Sequence, residues 1–597
     1  MLQKNLIRLV IVLALSLLLI SLFSGVYGDR GSRLYQTVRD GLSSTKGGAF
    51  SSEKHKDISG LLQKLSDGHP EFDWVDWLDL DSTELFEKKS LSAKAYPYLS
   101  KLKKGQEPAM PYEVHASPEE QAMIARIYCK HHLTSPFRVV PLGDPRVLAH
   151  NGSESANVIL SDDNLRSGPM TQYRAQHVNK DRLHFQHGHH KPTEYYEASE
   201  PLMPDLKTKT SELSRQDLLF PKVDGKLFSW DADTIVKQRN DDGNNDDIHV
   251  DDHAYSVWKA TGYAPSSPKY FHEVWIKDDP AGYGVHYDWR FFRGILVYDQ
   301  HRAATHFLAR AWQQFAEQMG VIYWFAHGSL LGYHWDGLTM PWDSDHDIQV
   351  PVMELDRLAR DFNRTLVVQN TAEGQRKYLV DVAPSYVQRA KGNGNNLIDA
   401  RFIDVDSGAY IDITGLARIS ANSLQAACKN RHSYKVEALS RLRRTAYEGY
   451  PSLMPLNYEP WLQKEYKAWA NPAFKRWKFN SKTRLWEFKQ TCKEYLKGFK
   501  NSRHVYCIPR DFQQTPDCGE KYGTCDQLVI KSFNETHVAT GNHNKEAAIM
   551  KEIGNPITIN DWESLTAKMD ELLSVAGEYI PPFRTGTESS PSSDHDE

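Results

Sequence analysis

Three aspartates at alternate positions, Asp343, Asp345 and Asp347, are the residues of this sequence best suited to chemistry. They lie in the segment MPWDSDHDIQV, whose apolar end predicts a buried strand. Side chains alternate between faces along a strand, so we expect the three carboxylates to share one face. Because such carboxylates repel one another, a divalent cation is their natural counter-charge. Oxygen-only ligands favour Mn²⁺ or Mg²⁺ over zinc.

A solvent-facing edge strand is the alternative for this segment, since a bare DxD pattern has little specificity. Two further features favour a site. Gly328 and Ser329 directly follow a short apolar run, where backbone amides and a hydroxyl can bind a phosphate. Asp412 lies between two isoleucines in YIDIT, and a carboxylate in a buried strand needs a partner such as a metal ion. Asp404, on the neighbouring predicted strand, is the rival to Asp412.

The elements that must position these residues follow from periodicity. Residues 303–320 place apolar side chains on one helical face, and Gly320 stands where a helix end is expected. Residues 321–326 form a short apolar run typical of a buried strand, and residues 396–416 alternate as two strands around a DSG turn. This order of elements is typical of the nucleotidyltransferase superfamily. We therefore predict an α/β (α+β) fold with a nucleotidyltransferase-like mixed sheet and helices.

The segment AHGSLLGYHWDGLTMPWDSDHDIQV resembles the LicD/fukutin family, whose members carry a GTLLG-type motif followed by PWDxDxD. The segments HYDWRFFRGILVYDQHRAATHFLARAW and RFIDVDSGAYIDITGLA are similar to the fungal proteins of mannosylphosphate transfer to glycans. The resemblance covers roughly residues 285–475, and the sequence contains no long Lys/Glu repeat of the kind found in some fungal members. A later segment resembles the closing motif of the family, at Tyr447, Glu448, Gly449, Pro455, Tyr458, Leu462 and Tyr466.

The resemblance implies a reaction class. LicD-like enzymes move a phosphorylated group from a nucleotide diphosphate donor to a hydroxyl and release the nucleoside monophosphate. For the fungal relatives the expected donor is GDP-mannose, the acceptor is a mannose hydroxyl of a glycan, and GMP leaves. Asp345 and Asp347 would then hold Mn²⁺ or Mg²⁺ across the diphosphate, with Asp343 orienting them or capping the PWD turn. Asp412 would complete the metal site or take the proton of the acceptor.

Further roles and alternatives follow from the same resemblance. Gly328 and Ser329 would bind the donor phosphate, and Arg401 would clamp it, although an arginine on a hairpin is more often a surface residue. Other Golgi mannosyltransferases are candidate partners. The chain could instead be a non-catalytic regulator of a separate mannosylphosphate transferase, or a DxD glycosyltransferase that releases GDP. A lectin-like binding module is the weakest alternative, because it does not explain why acidic residues on a predicted strand lie beside the Gly-Ser pair.

The N-terminal segment favours a membrane location. Lys4 and Arg8 precede about 19 apolar or small residues, which at ~1.5 Å per residue nearly span a ~30 Å hydrocarbon core. We expect an uncleaved, single-pass type II anchor with a luminal body in the Golgi membrane, and a cleaved signal peptide is the alternative. Sequons at Asn151, Asn363 and Asn534 agree with a secretory lumen.

Composition bounds the remaining expectations. A formal charge of −5 offers no basic excess for a phosphate backbone, so no nucleic-acid partner is expected. The six cysteines favour disulfides in an oxidising lumen, with a structural zinc site near His504 as the alternative. In chain order we predict a cytoplasmic tip with transmembrane anchor (1–28), a flexible stem (29–66), a luminal accessory domain expected to be β-rich (67–290), a LicD-like catalytic domain (291–500), a Cys-containing extension (501–575) and a disordered acidic tail (576–597).

Overall fold

A computed structural model of the 597-residue chain describes principally residues 74–78, 118–142, 219–231, 269–274, 285–371, 374–389, 396–474, 477–488 and 540–552, with short gaps, and a few isolated residues. Within these ranges, no helix has both the length and the apolar character needed to cross a membrane. The predicted anchor (1–28), stem (29–66) and acidic tail (576–597) lie outside the described residues, as do the sequons at Asn151 and Asn534.

Strands outnumber α-helices among the described elements. The strands are β1 (Arg138–Leu142), β2 (Glu194–Tyr195), β3 (Glu273–Val274), β4 (Tyr287–Asp288), β5 (Trp324–Phe325), β6 (His346–Pro351), β7 (Thr365–Thr371), β8 (Gly374–Val382), β9 (Ala400–Asp404), β10 (Tyr410–Arg418), β11 (Gln425–Ala427), β12 (Ser433–Lys435), β13 (Leu442–Tyr447), β14 (Tyr450–Pro455), β15 (Ala473–Phe474), β16 (Trp477–Asn480) and β17 (Leu485–Phe488). The α-helices with defined bounds are α1 (Trp74–Trp77), α2 (Pro118–His132), α3 (Tyr298–Gln318), α4 (His327–Asp336), α5 (Val352–Arg357) and α6 (Glu459–Glu465).

A mixed sheet lies at the centre of the described residues. Its main path runs in the order β12-β11-β10-β9-β8-β7-β1-β2, and β6 pairs in parallel with β10 and antiparallel with β5. The predicted hairpin is confirmed, because β9 and β10 pair antiparallel and Gly408 adopts the positive φ of 89° that a tight turn favours. The predicted mixed α/β architecture is therefore confirmed, while the predicted anchor stays a prediction.

Helix α3 covers one face of this sheet because its apolar residues recur every three or four positions. Leu308 and Trp312 of α3 are fully buried, and the Trp312 ring lies 5.5 Å from the Phe402 ring of β9. Each such side chain contributes roughly 1.5–3 kcal/mol of stability through burial. The predicted helix is confirmed, although it begins at Tyr298 rather than near 303. Gly320 follows its end with φ 62°, as the sequence predicts.

The opposite face of the sheet is covered by parts of the chain that precede residue 291. Trp77 of α1 is buried in one apolar cluster with Leu366 of β7 and Ile403 of β9. Strand β1 extends the central sheet by pairing in parallel with β7. The described residues of 67–290 thus contribute a strand and core residues to the central sheet, and the β-rich accessory domain stays a prediction.

Residues 540–552, within the predicted Cys-containing extension, are helical and pack on α4 and β13. The Glu546 carboxylate accepts a hydrogen bond of 2.7 Å from Thr445 Oγ1 and lies 3.2 Å from Arg443 Nε, both in β13. The His543 ring lies 5.1 Å from the Tyr333 ring of α4. This segment therefore packs against α4, which precedes the aspartates in the chain, and against β13, which follows them.

Two of the cysteines are buried thiols that form no disulfide. Cys129 Sγ donates to the carbonyl oxygen of Arg290 at 2.9 Å, and Cys428 lies beside the turn that precedes β12. Burial raises the pKa of both thiols, which keeps them protonated. The choice between disulfides and a zinc site concerns the other four cysteines, at 492, 507, 518 and 525, which lie outside the described residues.

Candidate active site

The three aspartates converge at the beginning of β6, although only Asp347 lies within the strand. β6 begins at His346. The preceding chain turns so that the Asp343 N–H donates to the Met340 carbonyl oxygen at 2.9 Å. The carboxylates of Asp343, Asp345 and Asp347 are all half-buried, so the cluster stays open to solvent. A turn, rather than a continuous strand, brings the first two acids to the third.

Asp412 stands beside Asp347 on the adjacent strand. β10 and β6 run parallel, and these two residues are directly paired in register. On the other side of Asp412, Arg401 of β9 is its register partner, and Arg401 Nε lies 2.7 Å from Asp412 Oδ1. Because directly paired residues point to the same face, Asp347, Asp412 and Arg401 form a charged row across three strands.

Burial and mutual repulsion leave the acidic cluster in need of positive charge. The pKa of Asp347 is raised well above its ordinary value by burial first, and then by the charges of Asp345 and Asp412. Burial and the charge of Asp345 raise the pKa of Asp343 in the same way. Burial also raises the pKa of Asp412, although Arg401 acts in the opposite direction. A bound cation would offset both the burial of these carboxylates and their mutual repulsion.

His286, which the sequence analysis does not single out, provides part of that charge. Its Nδ1 lies 2.7 Å from Asp345 Oδ2, and its ring stacks on the Tyr410 ring at 6.4 Å. Burial lowers the pKa of His286, but the ion pair with Asp345 outweighs burial and raises it to about 9. The same pair lowers the pKa of Asp345 against the effect of burial. In the sequence, the signal for His286 is its place in the HYDW segment, and the structure adds a positive φ of 65°, which is uncommon for a residue other than glycine.

Gly328 and Ser329 lie at the start of α4, and Ser329 ties this helix to β6. The Asp347 N–H donates to Ser329 Oγ at 3.1 Å, and His346 Nδ1 lies 3.4 Å from the same oxygen. His346 Nε2 lies 3.0 Å from the Thr305 carbonyl oxygen, which can only accept, so Nδ1 accepts the Ser329 hydroxyl. Ser329 is 1% exposed, which favours a role in holding Asp347. Its predicted phosphate contact stays a prediction.

Replacing Gly328 by Ala is expected to displace Asp343 and to reduce turnover by roughly 10–100-fold, because small misplacements of reacting groups are costly. The physical reason is steric, since a Cβ at Gly328 would overlap Asp343 Oδ2. The measurement is nucleotide release under saturating donor. The matched control is Gly541→Ala in the helical segment 540–552, where a Cβ meets nothing within 4 Å. Equal activity of both variants would contradict the prediction.

Arg401 is buried against aromatic rings rather than presented to solvent. Its guanidinium carbon lies 3.6 Å from the centroid of the Tyr410 ring and 4.9 Å from that of Phe271, and the side chain is 2% exposed. Together with the bond to Asp412, this arrangement makes Arg401 a positioning residue for that carboxylate. The predicted phosphate clamp stays a prediction.

Asp404, the rival to Asp412, closes the hairpin turn instead of facing the aspartates. Its carboxylate accepts hydrogen bonds from Ser407 Oγ at 2.6 Å and from the Asp406 N–H at 3.0 Å. Burial, and then Asp406, raise the pKa of Asp404 to about 6. Register therefore separates the two candidates, since Asp412 and not Asp404 is paired with Asp347.

Glu448 holds the loop that leads into the aspartates. It is buried, and its Oε1 accepts from both the N–H and the hydroxyl of Thr339, while Oε2 lies 2.7 Å from His306 Nδ1. Its own N–H donates to the Gly337 carbonyl oxygen at 3.0 Å. Burial raises the pKa of Glu448, but the His306 bond and charge lower it well below its usual range. The sequence places Glu448 in the YEG part of the closing motif of the family, but it does not indicate that this residue holds the loop before the aspartates.

The aspartate cluster offers ligand atoms that suit a hard divalent cation. All its ligand atoms are carboxylate oxygens, as Mn²⁺ and Mg²⁺ prefer. Among the described residues, the group of three ligand atoms that lie within 4.8 Å of one another belongs to His327, His432 and Glu465. The aspartates are not such a group, so their carboxylates would have to move closer together to bind an ion. The half-burial of Asp345 and Asp347 leaves room for that movement.

Fold and site together define a nucleotidyltransferase-type domain. A helix covers one face of a mixed sheet, and a Gly-Ser helix start, a DxD segment and a carboxylate on the neighbouring strand meet at one place. Residues 320–457 match the family described as LicD/FKTN/FKRP, nucleotidyltransferase domain. The predicted resemblance is therefore confirmed, and this part of the chain is a LicD-type domain.

Two curated relatives come from Saccharomyces cerevisiae. Mannosyltransferase regulator 4 is 43% identical over 158 residues, which is 26% of this chain and 13% of the relative. Mannosyltransferase regulator 14 is 44% identical over 153 residues, or 25% of this chain and 16% of the relative. The chain thus spans less than a fifth of the length of either relative. The similarity concerns the domain and not the whole of those proteins.

Proposed function

We propose that the chain transfers mannose-1-phosphate from GDP-mannose to a mannose hydroxyl of glycoprotein glycans and releases GMP. The observation that carries the proposal is the register of Asp347 with Asp412, which adds a strand-borne carboxylate to the DxD of a LicD-type domain. The names of the two relatives refer to mannosyltransferases, which supports mannose as the sugar. The guanosine part of the donor rests on the fungal resemblance.

Asp345 and Asp347 are the residues that would hold Mn²⁺ or Mg²⁺, with Asp343 packed behind them against Gly328. When bound, the ion supplies charge neutralisation on the donor diphosphate and on the leaving GMP. His286, paired to Asp345 at 2.7 Å, adds a further positive charge at the same edge.

Asp412 is the residue placed to accept the proton of the attacking hydroxyl. Its raised pKa makes it a stronger base than an ordinary aspartate, and the 2.7 Å bond from Arg401 keeps it in one orientation. The acceptor oxygen forms a bond to the phosphorus that bears mannose. The P–O bond to GMP breaks, and the hydroxyl proton passes to Asp412. The product is a mannose-1-phosphate diester.

A non-catalytic regulator of a separate mannosylphosphate transferase is the second candidate, and the word "regulator" in the names of both relatives favours it. The aspartates would then bind donor or metal without turnover. A DxD glycosyltransferase is the third candidate. It would break the bond between mannose and phosphate and release GDP. The nucleotide product therefore separates the three.

Purified chain incubated with GDP-mannose, Mn²⁺ and a mannose oligosaccharide is expected to release GMP and to form a mannose-1-phosphate diester. Removal of the metal with EDTA should abolish release, and added Mn²⁺ should restore it. The measurement is chromatography of the nucleotides with mass analysis of the glycan. GDP as product would assign glycosyl transfer, and no nucleotide above an Asp345→Ala control would assign a regulator. Parallel assays with other sugar nucleotides test the choice of donor.

The proposed cellular setting is the Golgi lumen, with the chain as a single-pass type II membrane protein. It rests on the apolar N-terminal segment and on the secretory nature of glycan acceptors. Other Golgi mannosyltransferases are proposed partners, since they would make the mannose acceptor.

A further inference from the structure

A second cluster of metal-ligating side chains lies apart from the aspartates. His327 at the start of α4, His432 in the turn before β12 and Glu465 at the end of α6 each offer one ligand atom, and the three atoms all lie within 4.8 Å of one another. They come from three separate segments of the chain. All three are half-buried, so the cluster is open on one side.

The distances within this cluster are close to those of a metal site. His327 Nδ1 lies 2.7 Å from Glu465 Oε1, and His432 Nε2 lies 3.7 Å from the same oxygen. Ligand atoms around a tetrahedral zinc ion with bonds of ~2.0–2.1 Å are roughly 3.3 Å apart. These two distances lie on either side of that value, and the ligand atoms of His327 and His432 lie within 4.8 Å of each other, so the three side chains would have to adjust around an ion.

The other nitrogen of His432 also has a neighbour that can orient the ring, because His432 Nδ1 lies 3.6 Å from Cys428 Sγ. A metal-bound histidine commonly donates the N–H of its second nitrogen to an acceptor, and a thiol sulfur is a weak acceptor. His327 Nε2 lies 3.4 Å from the amide nitrogen of Gln349, which is itself a donor, so this contact would have to rearrange if His327 bound a metal through Nδ1. The cluster therefore has three ligands and, behind His432, a group that can orient its ring.

We propose that His327, His432 and Glu465 form a second metal site that binds a transition-metal ion such as Zn²⁺ through two nitrogens and one oxygen. A three-residue set with an open fourth position is the arrangement that leaves room for water or a substrate oxygen. The site adjoins the aspartates, because the Ala326 N–H, one residue before His327, donates to the Asp347 carbonyl oxygen at 2.9 Å. This proposal does not depend on the transferase reaction, since metal binding can be measured without turnover.

Zinc binding to the purified full-length chain tests the proposal. In the presence of excess Mg²⁺, which occupies oxygen-only sites, we expect one tightly bound Zn²⁺ per chain by elemental analysis. Co²⁺ in its place should give visible d–d absorption. The variants His432→Ala and Glu465→Gln should weaken Zn²⁺ binding at least tenfold. Cys428→Ser, which alters only the group behind His432, should weaken it by about tenfold or less.

The matched control is Asp345→Asn, which changes the aspartate cluster and leaves the three proposed ligands in place. It should bind Zn²⁺ as the wild-type chain does. Zinc binding that is lost in Asp345→Asn and kept in His432→Ala would overturn the proposal, and so would a wild-type chain that binds no Zn²⁺. Thermal unfolding of each chain with and without Zn²⁺ gives a second readout, because a ligand that binds the folded state raises Tm. A Tm that Zn²⁺ leaves unchanged in wild type would also count against the site.

Discussion

Asp347→Asn is expected to reduce GMP release by roughly 10³-fold, the equivalent of several kcal/mol of lost transition-state stabilisation. Asp347 lies in register with Asp412 and within the field of Asp343 and Asp345. The amide keeps the shape of the side chain and removes its charge, so the site loses a proposed metal ligand while the strand remains. The measurement is kcat with GDP-mannose and a mannose oligosaccharide.

The matched control for this prediction is Asp404→Asn on the adjacent hairpin. Asp404 bonds to Ser407 and Asp406 in the turn and has no register contact with Asp347. We expect that variant to keep kcat within a few-fold of wild type, because an amide oxygen can still accept a turn hydrogen bond. If both variants lose activity to the same extent, the prediction is wrong. The loss would then reflect the removal of any negative charge at this end of the sheet and not a specific role of the DxD site.

Glu448→Ala is expected to lower the free energy of unfolding by about 3–5 kcal/mol, the usual cost of removing one partner of a buried ion pair. The change would leave His306 and the Thr339 N–H without their acceptor in a buried setting. It would also release the loop that leads into the aspartates. Chemical denaturation measures the loss. Glu437→Ala in the exposed turn before β13 is the control and should cost little.

The pH dependence gives an independent check on Glu448. Its pKa in the folded chain is depressed, so its contribution to stability is fully present above the ordinary glutamate pKa of about 4.3. That contribution is lost as pH falls through the lower, folded value. We expect the stability difference between wild type and Glu448→Ala to be constant near neutral pH and to shrink in acid. A difference that grew as pH fell would contradict the ion-pair explanation.

Much of the fold followed from short-range patterns. The helical spacing of apolar residues predicted α3, and the alternation around DSG predicted the β9–β10 hairpin. Both depend on neighbours within a few positions, so local periodicity is enough. The joining of β1 to β7 was not predictable in this way, because it links residues more than 200 positions apart and depends on which sheet edge is free.

The candidate site was predictable in part for the same reason. DxD, Gly-Ser and Asp412 are short motifs, and the structure places Asp412 directly beside Asp347. The sequence context of Arg401 predicts a phosphate contact, which stays a prediction, and does not show that Asp412 is its register partner. His286 was missed because its importance arises from one contact with Asp345 across 59 positions of the chain.

The sequence by itself determined the class of the domain and the run of carboxylates in PWDSDHD that we propose as metal ligands, because a short motif needs only its own order. Tertiary structure alone decided which charges meet. Parallel pairing of β6 with β10 selects Asp412 over Asp404, and the packing of α4 against α6 and the turn before β12 brings His327, Glu465 and His432 together. Electrostatic and metal-ligand contacts act over a few ångströms of space. Distance along the chain cannot reveal them.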